Sequence, residues 1–247
     1  MTLAILSALP EEQSGLLAPL QHAEQVVRAG RTFHCGTLHG QPVVLALSGI
    51  GKVAAATTAT ALIEHFGVAR MVFTGVAGGV GEGVNVGDVV VAQDYLQHDM
   101  DASPLFARWE LPGYARTRLA CDAGLSALLL EAAGACVSSA KGLFDQNYPA
   151  ARVHHGLIVS GDRFVSAALE SDRLRGDLRA AGHEVLAVEM EGAAVAQVCH
   201  DYGVPFAAVR TISDRADDAA HVDFPVFVQT VASRYADHIV QGLLQKL

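Results

Sequence analysis

The chain has 247 residues, of which 51% are hydrophobic and 17% charged, and its formal net charge is -9. This composition supports a large apolar core and argues against intrinsic disorder, while the negative charge gives nucleic acid and anionic membrane surfaces no electrostatic attraction. The length suits one domain spanning 1–247. We therefore expect a small-molecule ligand, with no nucleic-acid or membrane partner.

The N-terminus has no features of a secretory signal, because no positive charge precedes its short apolar run and acidic residues follow at once. No stretch approaches the uninterrupted apolar length of a membrane span. The four cysteines are scattered and form no C-x-x-C pair, which is typical of reduced thiols. We expect a cytoplasmic protein.

Short apolar runs alternate with longer helical patterns along the chain, and several runs are apolar on both faces, as in strands covered by helices on each side. The predicted strands are 2–8, 42–48, 70–75, 88–93, 156–160, 185–190 and 205–212. The predicted helices are 10–20, 52–66, 192–202 and 225–246, with Gly67 and Gly203 as C-terminal caps of the second and third. This alternation predicts a three-layer α/β/α sandwich with a central mixed sheet.

Two irregular stretches, 99–120 and 144–156, are predicted to be loops. The first contains two prolines and the only tryptophan of the chain. Long loops in compact domains are often functional.

Two glycine-rich segments resemble nucleotide-binding loops without matching them. Residues 48–52 (SGIGK) lack the preceding glycine and following hydroxyl residue of a Walker A motif. Residues 75–83 do not fit G-x-G-x-x-G in any register, and their glycines indicate instead a backbone that passes close to a ligand. His98 and Asp99 have no matching cluster elsewhere that would complete a metal site. We expect neither a metal nor a cofactor.

Carboxylates stand at the ends of three predicted strands, where ligand sites form in α/β sheets. Glu12 follows the first strand, the run 189–191 (EME) ends another, and Asp214 follows a third, four residues after Arg210. Hydrolysis of an N-glycosidic bond requires an acid for the leaving base and a base for the water, and carboxylates with separated pKa values share those tasks. The set therefore indicates glycosidic hydrolysis more strongly than any member alone.

Seven short motifs occur in one order along the chain: SALPEE at 7–12, SGIGKV at 48–53, TGVAGG at 74–79, VGDVV at 86–90, SGDRF at 160–164, AVEMEG at 187–192 and VRTISD at 209–214. Together they resemble the bacterial 5′-methylthioadenosine/S-adenosylhomocysteine nucleosidases of the purine nucleoside phosphorylase-like superfamily. The likeness runs from residue 3 to the C-terminus and is weaker over 103–155. It implies a partly barrel-like sheet, an adenine nucleoside substrate, no cofactor and a homodimer.

The resemblance also implies catalytic roles. Asp214 is expected to be the general acid toward N7 of adenine, and Glu12 the group that positions and activates water. Glu191 and the Met190 backbone are expected to hold the ribose hydroxyls, with Arg210 ordering Glu191 and the water.

The same resemblance implies the substrate contacts. Phe164 is expected to stack on adenine, the Val165 backbone to read its N1/N6 edge, and Phe224 to cover the ligand. The remaining residues are Ala77 and Gly78 in the base pocket, Val76 and Ser213 beside them, Leu9, Ile50 and Ala102 around the sugar or 5′-substituent, and Pro112 reaching a neighbouring subunit's pocket. Val76 departs from the family, which usually has serine or threonine there.

Three alternatives stay open on sequence grounds. A purine nucleoside phosphorylase shares the fold, but its Gly-Asp-Pro-x-Arg segment is replaced here by LPEE at 9–12, and carboxylates repel phosphate. A futalosine hydrolase is compatible with Asp214. A non-catalytic nucleoside-binding or storage protein is favoured by Val76, and disfavoured by the retention of the four catalytic residues.

Overall fold

The computed structural model describes residues 1–139, 151–220, 224 and 227–247. Its elements, in chain order, are β1 (Leu3–Ser7), α1 (Pro10–Leu17), β2 (Gln21–Arg28), β3 (Arg31–Leu38), β4 (Gln41–Leu47), α2 (Lys52–Phe66), β5 (Arg70–Gly79), β6 (Val89–Gln97), β7 (Leu119–Ala120), α3 (Ala123–Ser139), β8 (Val153–Ser160), α4 (Ala168–Ala180), β9 (Val185–Glu189), α5 (Gly192–Tyr202), β10 (Phe206–Asp214), a π-helical turn (Val228–Ala232) and α6 (Ser233–Leu244). No helix within these residues is both long and apolar enough to cross a membrane.

The strands form one mixed sheet in the order β10-β6-β8-β9-β5-β1-β4-β3-β2, with β7 beside β6. β10 also pairs with β5, so that β5, β10, β6, β8 and β9 close into a ring. The closure between β5 and β9 is antiparallel and uses Gly78 and Gly79. The predicted sandwich with a partly barrel-like mixed sheet is confirmed.

Helices cover both faces of the sheet, because alternate strand residues point to opposite sides. In β1, Ala4 and Leu6 belong to the core on the side of α2 and α5. Leu3 and Ile5 belong to the core on the side of α3 and α6. A fully buried leucine or isoleucine contributes about 1.5–3 kcal/mol, so leaving either face open would forfeit several such contributions.

The predicted helices agree with the structure where a glycine marks the end. α2 and α5 have the predicted bounds, and Gly67 and Gly203 end them in the left-handed conformation. The helix predicted over 10–20 ends at Leu17, two residues before a proline. At the C-terminus, the π-helical turn precedes α6; positions 225 and 226 of the predicted helix lie outside the described residues.

Five elements were not predicted: the hairpin of β2 and β3, the short strand β7 at the end of the loop predicted over 99–120, and the helices α3 and α4. Most of β2 is exposed and polar, so it lacks the apolar pattern of a covered strand. α3 is apolar on most of its length and α4 largely polar, and neither shows a strong amphipathic contrast. The loop predicted over 144–156 is wrong at its end, because β8 begins at Val153; residues 144–150 lie outside the described residues.

Candidate active site

A cavity of about 480 Å³ opens where β1, β4, β5, β8, β9 and β10 end. This is the sheet edge at which α/β proteins bind ligands. The predicted site residues that line it are Leu9, Glu12, Ile50, Val76, Ala77, Gly78, Phe164, Val165, Met190, Glu191, Arg210, Ser213, Asp214 and Phe224. The fold therefore gathers side chains that are separated by more than 200 positions in the sequence.

Ala102 and Pro112 do not line this cavity. Both lie in the long connection between β6 and β7, and the Pro112 side chain is exposed. Within a single chain, neither residue therefore lines the site.

Glu12 enters the cavity from the first turn of α1 and is 2% exposed. Its Oε2 accepts the N–H groups of Ala8 (2.8 Å) and Leu9 (2.9 Å), and its Oε1 accepts that of Val76 (3.0 Å). Burial raises the pKa of this carboxyl above its ordinary value, against the opposing effects of the Arg210 charge and the three N–H donors. At Gly75 a Cβ atom would lie 2.8 Å from Glu12 Oε1, so a side chain there would displace the carboxylate.

Glu191 stands at the N-cap of α5 and is 6% exposed. Its Oε1 accepts the Gly51 N–H at 2.8 Å. Burial, followed by the nearby Glu189 charge, raises the pKa of Glu191 to about 8, although the Gly51 hydrogen bond and Arg210 oppose the shift. In the ligand-free protein, Glu191 is therefore largely protonated at neutral pH.

Glu189 lines the cavity and was given no role in the sequence analysis. Its Oε2 accepts from Arg210 Nη2 at 2.7 Å, its two oxygens accept the Gly192 N–H, and the Ser160 hydroxyl donates to Oε1. A carboxylate at the first residues of a helix is stabilised by the helix dipole. Glu189 thus anchors both α5 and Arg210, whose ion pair is with Glu189 and not with the predicted partner Glu191.

Arg210 is 1% exposed, and its guanidinium lies over the Phe73 ring at 4.0 Å from the centroid. Burial opposes its charge, but Tyr95 and Glu189 outweigh that effect and the pKa of Arg210 is raised above its ordinary value. Its Nε and Nη1 find no hydrogen-bond acceptor among the described residues.

Asp214 lies at the end of β10, after an irregularity in the pairing with β5, and is 1% exposed. Its Oδ2 accepts from the Ser213 hydroxyl and its Oδ1 from the Ala216 N–H, each at 2.8 Å. Gly78 is its partner in the β5 register, and a Cβ atom at Gly78 would lie 3.1 Å from Asp214 Oδ1. The glycine leaves room for the carboxylate at the cavity wall.

Apolar side chains form the outer part of the cavity. Phe164 and Phe224 make an edge-to-face pair with centroids 5.6 Å apart. Val76 packs with Phe227, Val228 and other apolar residues of the C-terminal segment. At position 76 this chain therefore presents a methyl-covered wall to the cavity.

The lining residues that the sequence analysis did not select are Ala8, Gly75, Arg163, Val188 and Glu189. Each lies within two positions of a residue that was selected, so the sequence motifs already indicated the segments that contain them. Among the residues that the structure describes, no group of three or more histidine, cysteine, aspartate or glutamate side chains is arranged to hold a metal ion.

Comparison with known proteins relates the whole chain to one family. A family model described as the phosphorylase superfamily matches residues 2–245. The 5′-methylthioadenosine/S-adenosylhomocysteine nucleosidase from Neisseria meningitidis, solved in complex with methylthio-immucillin-A, is 35% identical with a TM-score of 0.86, and the match covers 100% of this chain and 99% of that chain.

Two further structures are similar over comparable lengths. The Streptococcus pneumoniae MTA/SAH nucleosidase in complex with 8-aminoadenine is 33% identical, with a TM-score of 0.86 and 100% coverage of both chains. The futalosine hydrolase of Helicobacter pylori is 31% identical, with a TM-score of 0.85 and coverage of 100% of this chain and 98% of that chain.

Proposed function

This chain belongs to the phosphorylase superfamily as an N-glycosyl hydrolase of nucleosides, and we propose that it cleaves 5′-methylthioadenosine and S-adenosylhomocysteine to adenine and the 5-thioribose product. The family resemblance inferred from the seven motifs is confirmed, and the chain is an enzyme rather than a non-catalytic storage protein. The observation that carries our choice of mechanism is the pair of buried carboxylates, Glu12 and Asp214, which are held at one short stretch of β5.

Two residues of β5, two positions apart, hold this pair. Glu12 is bonded to the Val76 N–H, and Asp214 is opposite Gly78 in the β5 register. Residues 76 and 78 face the same side of β5 and their Cα atoms are roughly 6.6 Å apart, since a strand rises about 3.3 Å per residue. We place the anomeric carbon of the ribose between the two carboxylates, with the base toward Asp214 and the water toward Glu12.

We assign Asp214 as the general acid and Glu12 as the general base. As the C1′–N9 bond breaks, Asp214 donates its proton to N7 of adenine, the water oxygen bonds to C1′, and Glu12 takes the water proton. The raised pKa of Glu12 makes it a stronger base than an exposed glutamate. The unused donors of Arg210 support a second contact with the same water.

The charges of the cavity favour water over phosphate as the nucleophile. Four carboxylate residues and two arginines line it. Arg210 is paired with Glu189, and Arg163 lies at the exposed rim beside Glu170 at 3.2 Å. A phosphate ion in the position of the water would lie against the Glu12 carboxylate in a desolvated site, where like charges repel strongly.

The other contacts complete the substrate site. We propose that Glu191 and the Met190 backbone hold the ribose hydroxyls, and that Phe164 stacks on the base beside the Val165 backbone. Phe224 covers the ligand, while Ala77, Gly78 and Ser213 border the base and Leu9 and Ile50 the 5′-substituent. We also propose a cytoplasmic homodimer, in which Pro112 reaches the neighbouring pocket and Ala102 approaches the 5′ end of the substrate.

Futalosine is the second candidate substrate, because the Helicobacter pylori futalosine hydrolase is almost as similar to this chain as the nucleosidases are. It carries a different base and a larger, acidic 5′-substituent. The apolar rim around Leu9 and Ile50 favours a thioether over that acidic group.

The test is release of the free base in phosphate-free buffer from 5′-methylthioadenosine, S-adenosylhomocysteine and futalosine, each at the same concentration. We expect adenine and free methylthioribose from the first, with no change on addition of a chelator. Faster cleavage of futalosine would reassign the substrate. Cleavage that requires added phosphate would contradict the assignment of water as nucleophile.

A further inference from the structure

A closed set of hydrogen bonds lies beside the cavity, outside the residues that line it. Lys52, Asp99 and Asp162 form it, and we call these three residues the Asp99 clamp. Lys52 Nζ donates to Asp99 Oδ1 at 2.6 Å, the Asp162 N–H donates to Asp99 Oδ2 at 2.9 Å, and the Lys52 N–H donates to Asp162 Oδ1 at 2.7 Å. Each residue contacts both of the others.

The clamp joins two turns that carry different parts of the site. Lys52 directly follows Gly51, whose N–H is the donor to Glu191 Oε1. Asp162 stands two residues before Phe164 in the turn after β8. The first turn therefore positions Glu191, the residue assigned to the ribose, and the second positions Phe164, the residue assigned to the base. We call these two sides of the cavity the ribose wall and the base wall.

The two turns approach too closely for a side chain between them. A Cβ atom at Gly51 would lie 3.2 Å from Asp162 Oδ1, and Gly51 has φ of 94°, a conformation that favours glycine. The clamp is thus a tight junction between the turns.

An isolated ion pair at a protein surface contributes little, but the Asp99 clamp is not isolated. Lys52 Nζ also donates to Gln97 Oε1 at 3.0 Å, and Gln97 Nε2 donates to Gln197 of α5 at 2.8 Å. The Lys52 side chain is only 15% exposed. Charge-assisted hydrogen bonds to a carboxylate are among the stronger hydrogen bonds. Burial acts to raise the pKa of Asp99, but the bonds from the Lys52 ammonium and the Asp162 N–H outweigh it, and the pKa is lowered.

We propose that Asp99 is a positioning residue, which holds the ribose wall and the base wall at the separation that one nucleoside spans. The proposal rests on the proposed function only for the identity of the ligand. A ligand that contacts both walls loses affinity when their separation is no longer fixed, whereas a ligand that contacts one wall moves with it.

The experiment measures binding by calorimetry for two probes. 5′-Methylthiotubercidin is an adenine nucleoside analogue that reaches both walls, and adenine reaches only the base wall. In Asp99→Asn, the amide nitrogen meets either the Lys52 ammonium or the Asp162 N–H, so one bond of the clamp is lost. We expect the Kd of the nucleoside analogue to rise about tenfold and that of adenine less than about twofold.

Asp177→Asn is the matched control, because Asp177 also forms an ion pair, with Arg108 at 3.0 Å, but lies away from the cavity. Neither Kd should change in that variant. Lys52→Met removes the clamp from its other side and should reproduce the difference between the two probes. Equal weakening of both probes, or no weakening of either, would overturn the role of Asp99. Tight binding of the analogue by the wild type without adenine release from methylthioadenosine would overturn the proposed function alone.

Discussion

The floor and the rim of the cavity are built in opposite ways. The floor consists of Glu12, Glu189, Glu191, Arg210 and Asp214, and none of these side chains is more than 7% exposed. The rim consists of Leu9, Ile50, Phe164 and Phe224, and it reaches solvent, with Ile50 61% and Phe164 43% exposed. Every floor carboxylate accepts at least one backbone N–H, whereas the rim is held by apolar contacts.

This difference indicates that the floor performs the chemistry and that the rim contributes most of the binding affinity. Donors aimed at fixed positions in a buried site stabilise charge without reorganisation during the reaction. An apolar, partly exposed rim adapts to its ligand and contributes contact area. Substitutions in the floor should therefore change kcat, and substitutions in the rim should change KM.

Asp214→Asn should have the largest effect. The amide has no proton to deliver to N7, so we expect kcat for methylthioadenosine to fall by about 10³-fold or more, within the range of general acid catalysis. Adenine release measures the effect, and circular dichroism should show an unchanged fold. Asp217→Asn, three residues away and only partly buried, should retain full activity. Normal turnover in Asp214→Asn would move the acid elsewhere.

Glu12→Gln should follow, with kcat lower by about 10²-fold or more, because an amide cannot accept the water proton. Its nitrogen would also face a backbone N–H where an oxygen now accepts one. The neighbouring variant Glu11→Gln changes an exposed side chain by the same atoms and should behave as wild type. An unimpaired Glu12→Gln enzyme would show that another group activates the water.

Phe164→Ala tests the rim. Loss of one aromatic contact costs about 0.5–1.5 kcal/mol, which corresponds to a KM up to about tenfold higher with kcat nearly unchanged. Steady-state kinetics of adenine release separates the two parameters. Leu169→Ala, an exposed residue outside the cavity, is the control. A fall in kcat without a change in KM would contradict the division between floor and rim.

The smallest effect concerns stability and pH. Because the folded-state pKa of Glu191 is raised to about 8 from 4.5, its protonated form stabilises the fold fully below pH 4.5, and this stabilisation is lost as the pH rises toward 8. We expect the Tm of the ligand-free wild type to fall by roughly 10 °C between pH 5 and pH 9, and Glu191→Gln to flatten this dependence.

Exposed Glu82→Gln should leave the pH dependence of Tm unchanged. Glu12 also has a raised pKa, so some slope should remain in Glu191→Gln. Identical curves for wild type and Glu191→Gln would show that the Glu191 carboxyl titrates normally.

The sequence predicted most of the floor because its residues lie in motifs at strand ends. It did not reveal that Glu189 and Glu191 differ, since both flank Met190 in the same run. The structure separates them because β9 ends at Glu189 and α5 begins at Gly192. The turn directs Glu189 to Arg210 and Glu191 to Gly51, and neither partner is visible from local spacing.

The fold was predicted where burial leaves a periodic pattern and missed where it does not. β1 and β4 are recognisable because they are covered on both faces, while β2 contributes backbone pairing with mostly exposed side chains. The glycines that extend β5 to Gly79 interrupt its apolar run, although they are the residues that allow the sheet to close against β9.

The position of β5 has a practical consequence. This strand pairs with β1 on one side and with β10 on the other, and its end pairs with β9, so the sheet forks there. Glu12 is positioned from the open arm and accepts the Val76 N–H, while Asp214 is positioned from the closed ring and lies opposite Gly78, two residues further along β5. Neither arm by itself contains an acid and a base. Under the assignment proposed above, release of the free base therefore reports complete folding, and a fragment, a partly unfolded state or a misregistered strand should be catalytically silent.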